Sequence, residues 1–298
     1  MKHEDIRIGT LAGRGEKTAA YIREILPHGF ESFQINFWKT LGGVNLKQLA
    51  RETKEALDGS GAIVSSLGIY GNPLDGTDDA RECLRGWKAC IDNAHHFGTD
   101  LVCGFTGRVP GKPLPDSIPR FTKVFGELAQ RAAGLGVRIA FENCWMDGNW
   151  QRGDWNIAHS PDAWELMFDA VPSANLGLEW EPCHQMCALI DPMPQLRTWV
   201  PKIFHVHGKD ATIHHDVIAK HGVGGAQPVV HHRTPGFGDS NWTDIISELR
   251  KHGYRGSIDI EGWHDPVYRD ELEMTGQVAG LNYLKRCRAT YVPNPKNM

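Results

Sequence analysis

The 298-residue sequence predicts an α/β fold, a single (β/α)8 TIM barrel occupying residues 1–298. Three observations carry that expectation. Short apolar strands alternate with helical segments eight times, no linker or change of composition divides the chain, and the later strands end in acidic or imidazole side chains. Barrels of this class build their reactive face at the carboxyl ends of their strands.

Taken in order, residues 6–10 read as the first strand and 17–26 as its helix, stopped by Pro27. Residues 30–37 form the second strand, followed by a helix over 45–57 that Gly59 ends. The third strand covers 62–67, then a loop from Tyr70 to Leu74 leads to a long helix over 78–96. The fourth strand is 100–105. Ser117 can cap the next helix, whose Phe121, Val124, Phe125, Leu128 and Ala132 make one apolar stripe at three-and-four spacing. Gly134 and Gly136 end that helix before the fifth strand, 137–143. A helix over 162–170 and a sixth strand, 175–181, follow. Residues 186–199 read as a helix interrupted by Pro192 and Pro194, and 203–208 as the seventh strand. A long connection from Asp210 to about Ser240, rich in His, Gly and Pro, predicts a structureless specificity lid. The helix over 242–252, the eighth strand over 256–261 and a helix over 270–286 close the pattern.

Composition narrows the function classes. Hydrophobic residues make up 41% and charged residues 23%, as in ordinary globular proteins. A net charge of -4 offers no basic field for nucleic acid or an anionic membrane, and no run is apolar enough to span a bilayer. The seven cysteines are odd in number and form no CxxC pair. They predict free thiols in a cytoplasmic protein, with neither a disulfide framework nor a Cys-rich zinc site.

Strand periodicity then selects the candidate site. Side chains alternate across a strand, so His205, His207 and Lys209 share one face while Phe204 and Val206 take the other. Phe141, Trp180 and Ile260 fall likewise on the helix side, which turns Glu142, Glu181, His207 and Glu261 inward at four strand ends. Three carboxylates converging on one point repel unless a cation lies among them. Oxygen donors with one imidazole suit Mn²⁺ first, with Mg²⁺, Co²⁺ and Zn²⁺ as alternatives. Lys209 and Asp210 are expected to pair with each other, and His214, His215, His231 and His232 to be solvated or lid residues. Trp145, Trp150, Trp155 and Trp263 flank the expected mouth as packing or sugar-stacking groups.

Several segments carry a family resemblance over essentially the whole chain. They are Phe141-Glu142-Asn143, Gly177 through His184, His205 through Asp210, Arg233 through Asp239, and Gly253-Tyr254 leading to Ile258-Asp259-Ile260-Glu261. Together they resemble the xylose isomerase-like barrel superfamily and its sugar phosphate isomerase/epimerase group. The resemblance implies metal ligation by Glu142, Glu181, His207 and Glu261, proton transfer by Glu142 and Glu261, and substrate binding by His184 and Arg233. Two departures stand out. Glu181 replaces a common Asp, which makes Glu179 an alternative ligand, and Gln34 stands where many relatives carry Glu.

The implied activity is a metal-dependent sugar isomerase or epimerase that abstracts a proton beside a carbonyl of a ketose, polyol or keto-sugar. A lyase that cleaves 3-keto-glycosides by β-elimination is the alternative, since the strand-seven signature, long loop and Arg-Thr-Pro-Gly-Phe-Gly also resemble such deglycosidase subunits. A nuclease on this barrel would need several metals and a positive surface. The expected partner is a small sugar, in a homo-oligomer, with a small partner subunit if the lyase reading holds.

Overall fold

The computed structural model describes residues 5–292. Eight parallel strands close into a barrel: β1 (Arg7–Leu11), β2 (Ser32–Trp38), β3 (Ile63–Tyr70), β4 (Leu101–Gly104), β5 (Arg138–Glu142), β6 (Leu176–Trp180), β7 (Ile203–Gly208) and, last in the chain, β10 (Ser257–Ile260). Each pairs with its neighbours in sequence, and β1 closes the ring against β10, with Gly9 opposite Asp259. A Cβ at Gly9 would lie 2.1 Å from the Ser32 carbonyl and 2.2 Å from Asp259 Oδ1. Only glycine lets three strands approach this closely.

The surrounding helices start where their caps dictate. The Asn45 side chain accepts from Gln48 N–H at the head of α2 (Leu46–Leu57), and Thr77 from Ala80 N–H at the head of α3 (Asp78–Phe97). On α4 (Ile118–Gly134) the expected stripe is buried at Phe121, Phe125, Leu128 and Ala132. The rings of Phe125 and Phe141 meet edge to face at 4.9 Å, and Trp87 packs on Phe125 at 5.5 Å. This cluster lies behind β5, so burying Phe141 outward turns its neighbour Glu142 into the barrel.

Three expectations are corrected. The third strand runs on to Tyr70, which carries that side chain into the interior. The helix expected over 186–199 is two, α6 (Pro182–Cys187) and α7 (Pro192–Trp199), because each begins with a proline in its first turn. The expected structureless lid contains an antiparallel ribbon, β8 (Asp210–Ile213) with β9 (Val230–Arg233), enclosing a short helix, α8 (His215–His221). Asp210 fixes its base: buried, it accepts from Ala211 N–H at 2.8 Å, Ser240 N–H at 3.0 Å and Trp242 Nε1–H at 3.3 Å. The remaining helices are α1 (Thr18–Ile25), α5 (Pro161–Ala170), α9 (Trp242–Lys251) and α10 (Glu273–Arg288).

Candidate active site

At the carboxyl end of the barrel, one ligand atom from each of Glu142, Glu181, His207 and Glu261 lies within 4.8 Å of the others. Glu142 ends β5, Glu181 precedes α6, His207 lies in β7 and Glu261 follows β10. Asn143 fixes the second of these reciprocally. Its Nδ2–H donates to the Glu181 carbonyl at 2.9 Å, and its Oδ1 accepts from Glu181 N–H at 2.7 Å.

A polar layer beneath orients the four. His207 Nε2 lies 2.8 Å from Gln34 Oε1, while the Gln34 amide donates to Ser66 and Glu179. Those two bonds fix which end of the Gln34 amide is the oxygen, so His207 carries its hydrogen on Nε2 and turns Nδ1 toward the acids. Nδ1 lies 3.2 Å from Glu261 Oε2 and 3.6 Å from Glu142 Oε1. Glu179 accepts from Tyr70 O–H at 2.7 Å and Gln34 at 2.6 Å, and stands 2.9 Å from His205. It is therefore engaged in the layer below, and the group that converges contains Glu181 and not Glu179. His205 spans the interior from Glu179 to Asp259, 2.9 Å from each, and Asp259 also accepts from Ser32 and Ser65.

The expected Lys209–Asp210 pair does not form. Lys209 stands in the break between β7 and β8, its N–H turned back to the His207 carbonyl at 3.0 Å, and its Nζ–H donates to Glu261 Oε1 at 2.6 Å instead. His184 is buried with Nε2 2.8 Å from Glu181 Oε1. Arg233 pairs with the buried Asp265 at 3.4 Å and with none of the four. Asp265 also accepts from the backbone N–H groups of Thr234, Val267 and Tyr268, which makes it the anchor of this loop. Of the four lid histidines, His214 and His231 pair at 2.9 Å, whereas His232 turns inward to the His184 ring, 5.0 Å between centroids. At the rim Trp155 stacks on Trp38 at 5.8 Å, Trp150 packs against the core, Trp145 donates to the Gly148 carbonyl, and Trp263 is exposed.

Burial and charge set the protonation states. Burial pushes Glu142 up to about 7, against the His207 hydrogen bond and reinforced by Glu261. Burial acts the same way on Glu261, but the Lys209 charge and His207 outweigh it and hold that carboxyl well below the usual range. Burial would discharge His207, yet Glu179 and the hydrogen bonds to Glu142, Glu179 and Glu261 raise it well above an ordinary imidazole. The cluster thus demands positive charge at His207 Nδ1, which a proton or a cation can supply.

A cation fits the side-chain chemistry. Both Glu181 oxygens, Glu261 Oε2 and His207 Nδ1 are buried without an aligned hydrogen-bond partner. Orphaned acceptors at such depth cost free energy unless something electropositive meets them.

A parallel barrel that gathers carboxylates and an imidazole at its strand ends defines the class as a TIM barrel with a metal-competent mouth. Within that class the chain belongs to the family described as Xylose isomerase-like TIM barrel, which it matches over residues 22–287. Similar solved structures include a xylose isomerase domain protein from Planctomyces limnophilus, 17% identical with a TM-score of 0.71, covering 97% of this chain and 99% of that one. Another is 3-keto-D-glucoside 4-epimerase, YcjR, from E. coli, 17% identical with a TM-score of 0.69, covering 95% of this chain and 100% of that one. A sequence relative, the uncharacterized Bacillus subtilis protein YfiH, is 22% identical over 263 residues, 75% of this chain and 80% of its own length. No helix among the described residues is long and apolar enough to cross a membrane.

Proposed function

We propose that this protein is a divalent-metal-dependent isomerase or epimerase of a ketose or keto-sugar, acting by proton transfer at the carbon beside a carbonyl. The observation that carries the reading is the convergence of Glu142, Glu181, His207 and Glu261, the last three of which bring buried unsatisfied atoms to it. These four would hold the ion, and their carboxylate-rich donor set favours Mn²⁺. When bound, the ion would polarise the substrate carbonyl and offset the charge that develops on its oxygen as the neighbouring carbon is deprotonated.

The rest falls to the chain's own side chains. Glu142 and Glu261 are the proton-transfer pair, carried by β5 and by the chain just beyond β10. Without an ion, burial pushes Glu142 up to about 7 while Lys209 and His207, against burial, hold Glu261 ionised; a bound cation would favour the carboxylate form of both, the form that takes a proton from carbon. His184, beside Glu181, and Arg233, braced on Asp265, would hold substrate oxygens. The E. coli 3-keto-D-glucoside epimerase supports including keto-glycosides among the substrates.

The Mn²⁺-loaded protein, incubated in D2O with a free ketohexose and separately with a 3-keto-glucoside, tests this. Deuterium uptake at the carbon beside the carbonyl without aglycone release is expected. Glu142→Gln should slow it about 10²–10⁴-fold, the contribution of a positioned general base. Aglycone release would move the assignment to β-elimination, which shares the first proton abstraction. Undiminished turnover after stringent chelation would end both readings.

A further inference from the structure

A second group of side chains that could hold a metal lies where α6 meets the ribbon, next to His184, and nothing in the proton-transfer chemistry uses it. Cys183 and Cys187 stand four residues apart, on one face of that helix. His232, on β9 of the ribbon, faces them, and one ligand atom from each of the three lies within 4.8 Å of the other two. Cys183 is fully buried, Cys187 nearly so, and His232 Nδ1 is buried without a hydrogen-bond partner. Met186 and Ala211 complete a small apolar shell around the thiols, with Trp145, Ile213 and Val230 packed against it.

Buried cysteines ordinarily serve as small hydrophobic groups. That explanation accounts for Cys183 but not for an imidazole nitrogen brought in from another element and left unpaired between two sulfurs. Two buried cysteine sulfurs beside an unpartnered imidazole nitrogen in an apolar shell are a ligand set for a borderline or soft cation.

We propose that Cys183, Cys187 and His232 form a second divalent-cation site, selective for zinc over manganese, distinct from the carboxylate cluster. Two thiolates and one imidazole give three of four tetrahedral positions, with metal–sulfur distances near ~2.3 Å and metal–nitrogen near ~2.0 Å, and leave the fourth to solvent. The ion would tie the ribbon to α6. His232 precedes Arg233 and Cys183 precedes His184, so the same tie would position both residues assigned to substrate binding.

Cobalt distinguishes the two sites, because thiolate ligation produces a sulfur-to-metal charge-transfer absorption that carboxylate and imidazole ligation does not. The full chain, reduced, stripped by a chelator and given one equivalent of Mn²⁺, is titrated with Co²⁺. The expected result is a charge-transfer band saturating at one Co²⁺ per chain and displaced by Zn²⁺. The band should be lost in Cys183→Ser and Cys187→Ser and retained in Glu261→Gln. His232→Ala alters a half-buried ribbon residue rather than the core, so it should fold even if a serine variant does not, and should weaken Co²⁺ binding. Absence of the band in folded wild type, its survival in Cys187→Ser, or unchanged affinity in His232→Ala would overturn the proposal. So would loss of two titratable thiols on air exposure with no metal uptake, which would make the pair a redox couple.

Discussion

Gln34 shows how much a single amide can decide. Its oxygen accepts from His207 Nε2, and this bond leaves Nδ1 free to meet the acids. Gln34→Leu removes the restraint while keeping an apolar group of similar length. Mn²⁺ affinity should fall about 10–100-fold, as when the outer partner of a metal-binding histidine is removed, with calorimetric titration as the readout. Parity along β6 and β7 made the inward residues legible in the sequence, since Glu179, Glu181, His205 and His207 all fall on one face. Depth was not legible: which acid reaches the mouth and which serves the layer below depends on strand stagger, and that follows only from ring closure. The Lys209 partner was not legible either, because this residue sits in the break between β7 and β8, where adjacency in sequence does not set direction.

At the scale of elements, β1 is one of the tightest points of the barrel wall. Gly9→Ala would drive a methyl group into the Ser32 carbonyl and the Asp259 carboxylate. Backbone cannot yield there as a flexible side chain could, so the variant should lose about 3 kcal/mol, at the upper end of overpacking costs, in urea unfolding. α3, capped by Thr77, and α4, with its long apolar stripe, could be read from the sequence nearly to their ends, although the Ser117 hydroxyl accepts from Val109 N–H and does not cap α4 as expected. The ribbon could not. Its strands are four residues each, its burial is intermediate, and the His-, Gly- and Pro-rich segment between them carries no period. The three-way approach of Cys183, Cys187 and His232 was hidden with it, since only the first two share a helix face.

Two tests belong to the whole molecule. Glu31 joins the first and last parts of the barrel, accepting from Ile8 N–H at 2.9 Å and from Arg288 Nη2–H at 3.1 Å. Burial works against its charge, but the Arg288 hydrogen bond and the Ile8 N–H prevail and lower its pKa below the ordinary 4.5. A carboxyl lowered on folding contributes stability above its unfolded pKa and loses it as pH falls through the folded value. Glu31→Gln should therefore cost about 1 kcal/mol near neutral pH, and the difference should vanish in urea titrations well below pH 4.5. The second test concerns the ion. At a hundred times its dissociation constant, Mn²⁺ should stabilise the fold by about 2.7 kcal/mol, seen as a rise of several degrees in melting temperature. Glu181→Gln, which changes a fully buried donor, should abolish most of that rise.

The ribbon leaves and rejoins the barrel at nearly one spot: Asp210 pairs across it with Arg233, Asp239 N–H donates to the Ala211 carbonyl at 2.8 Å, and Ser240 returns to Asp210. An insertion whose two ends are clasped by a single carboxylate can change in length or composition without the ring sensing it. Evolution, or a designer, could exchange that appendage between related barrels to alter which small molecules reach the mouth while the four residues gathered there stay untouched.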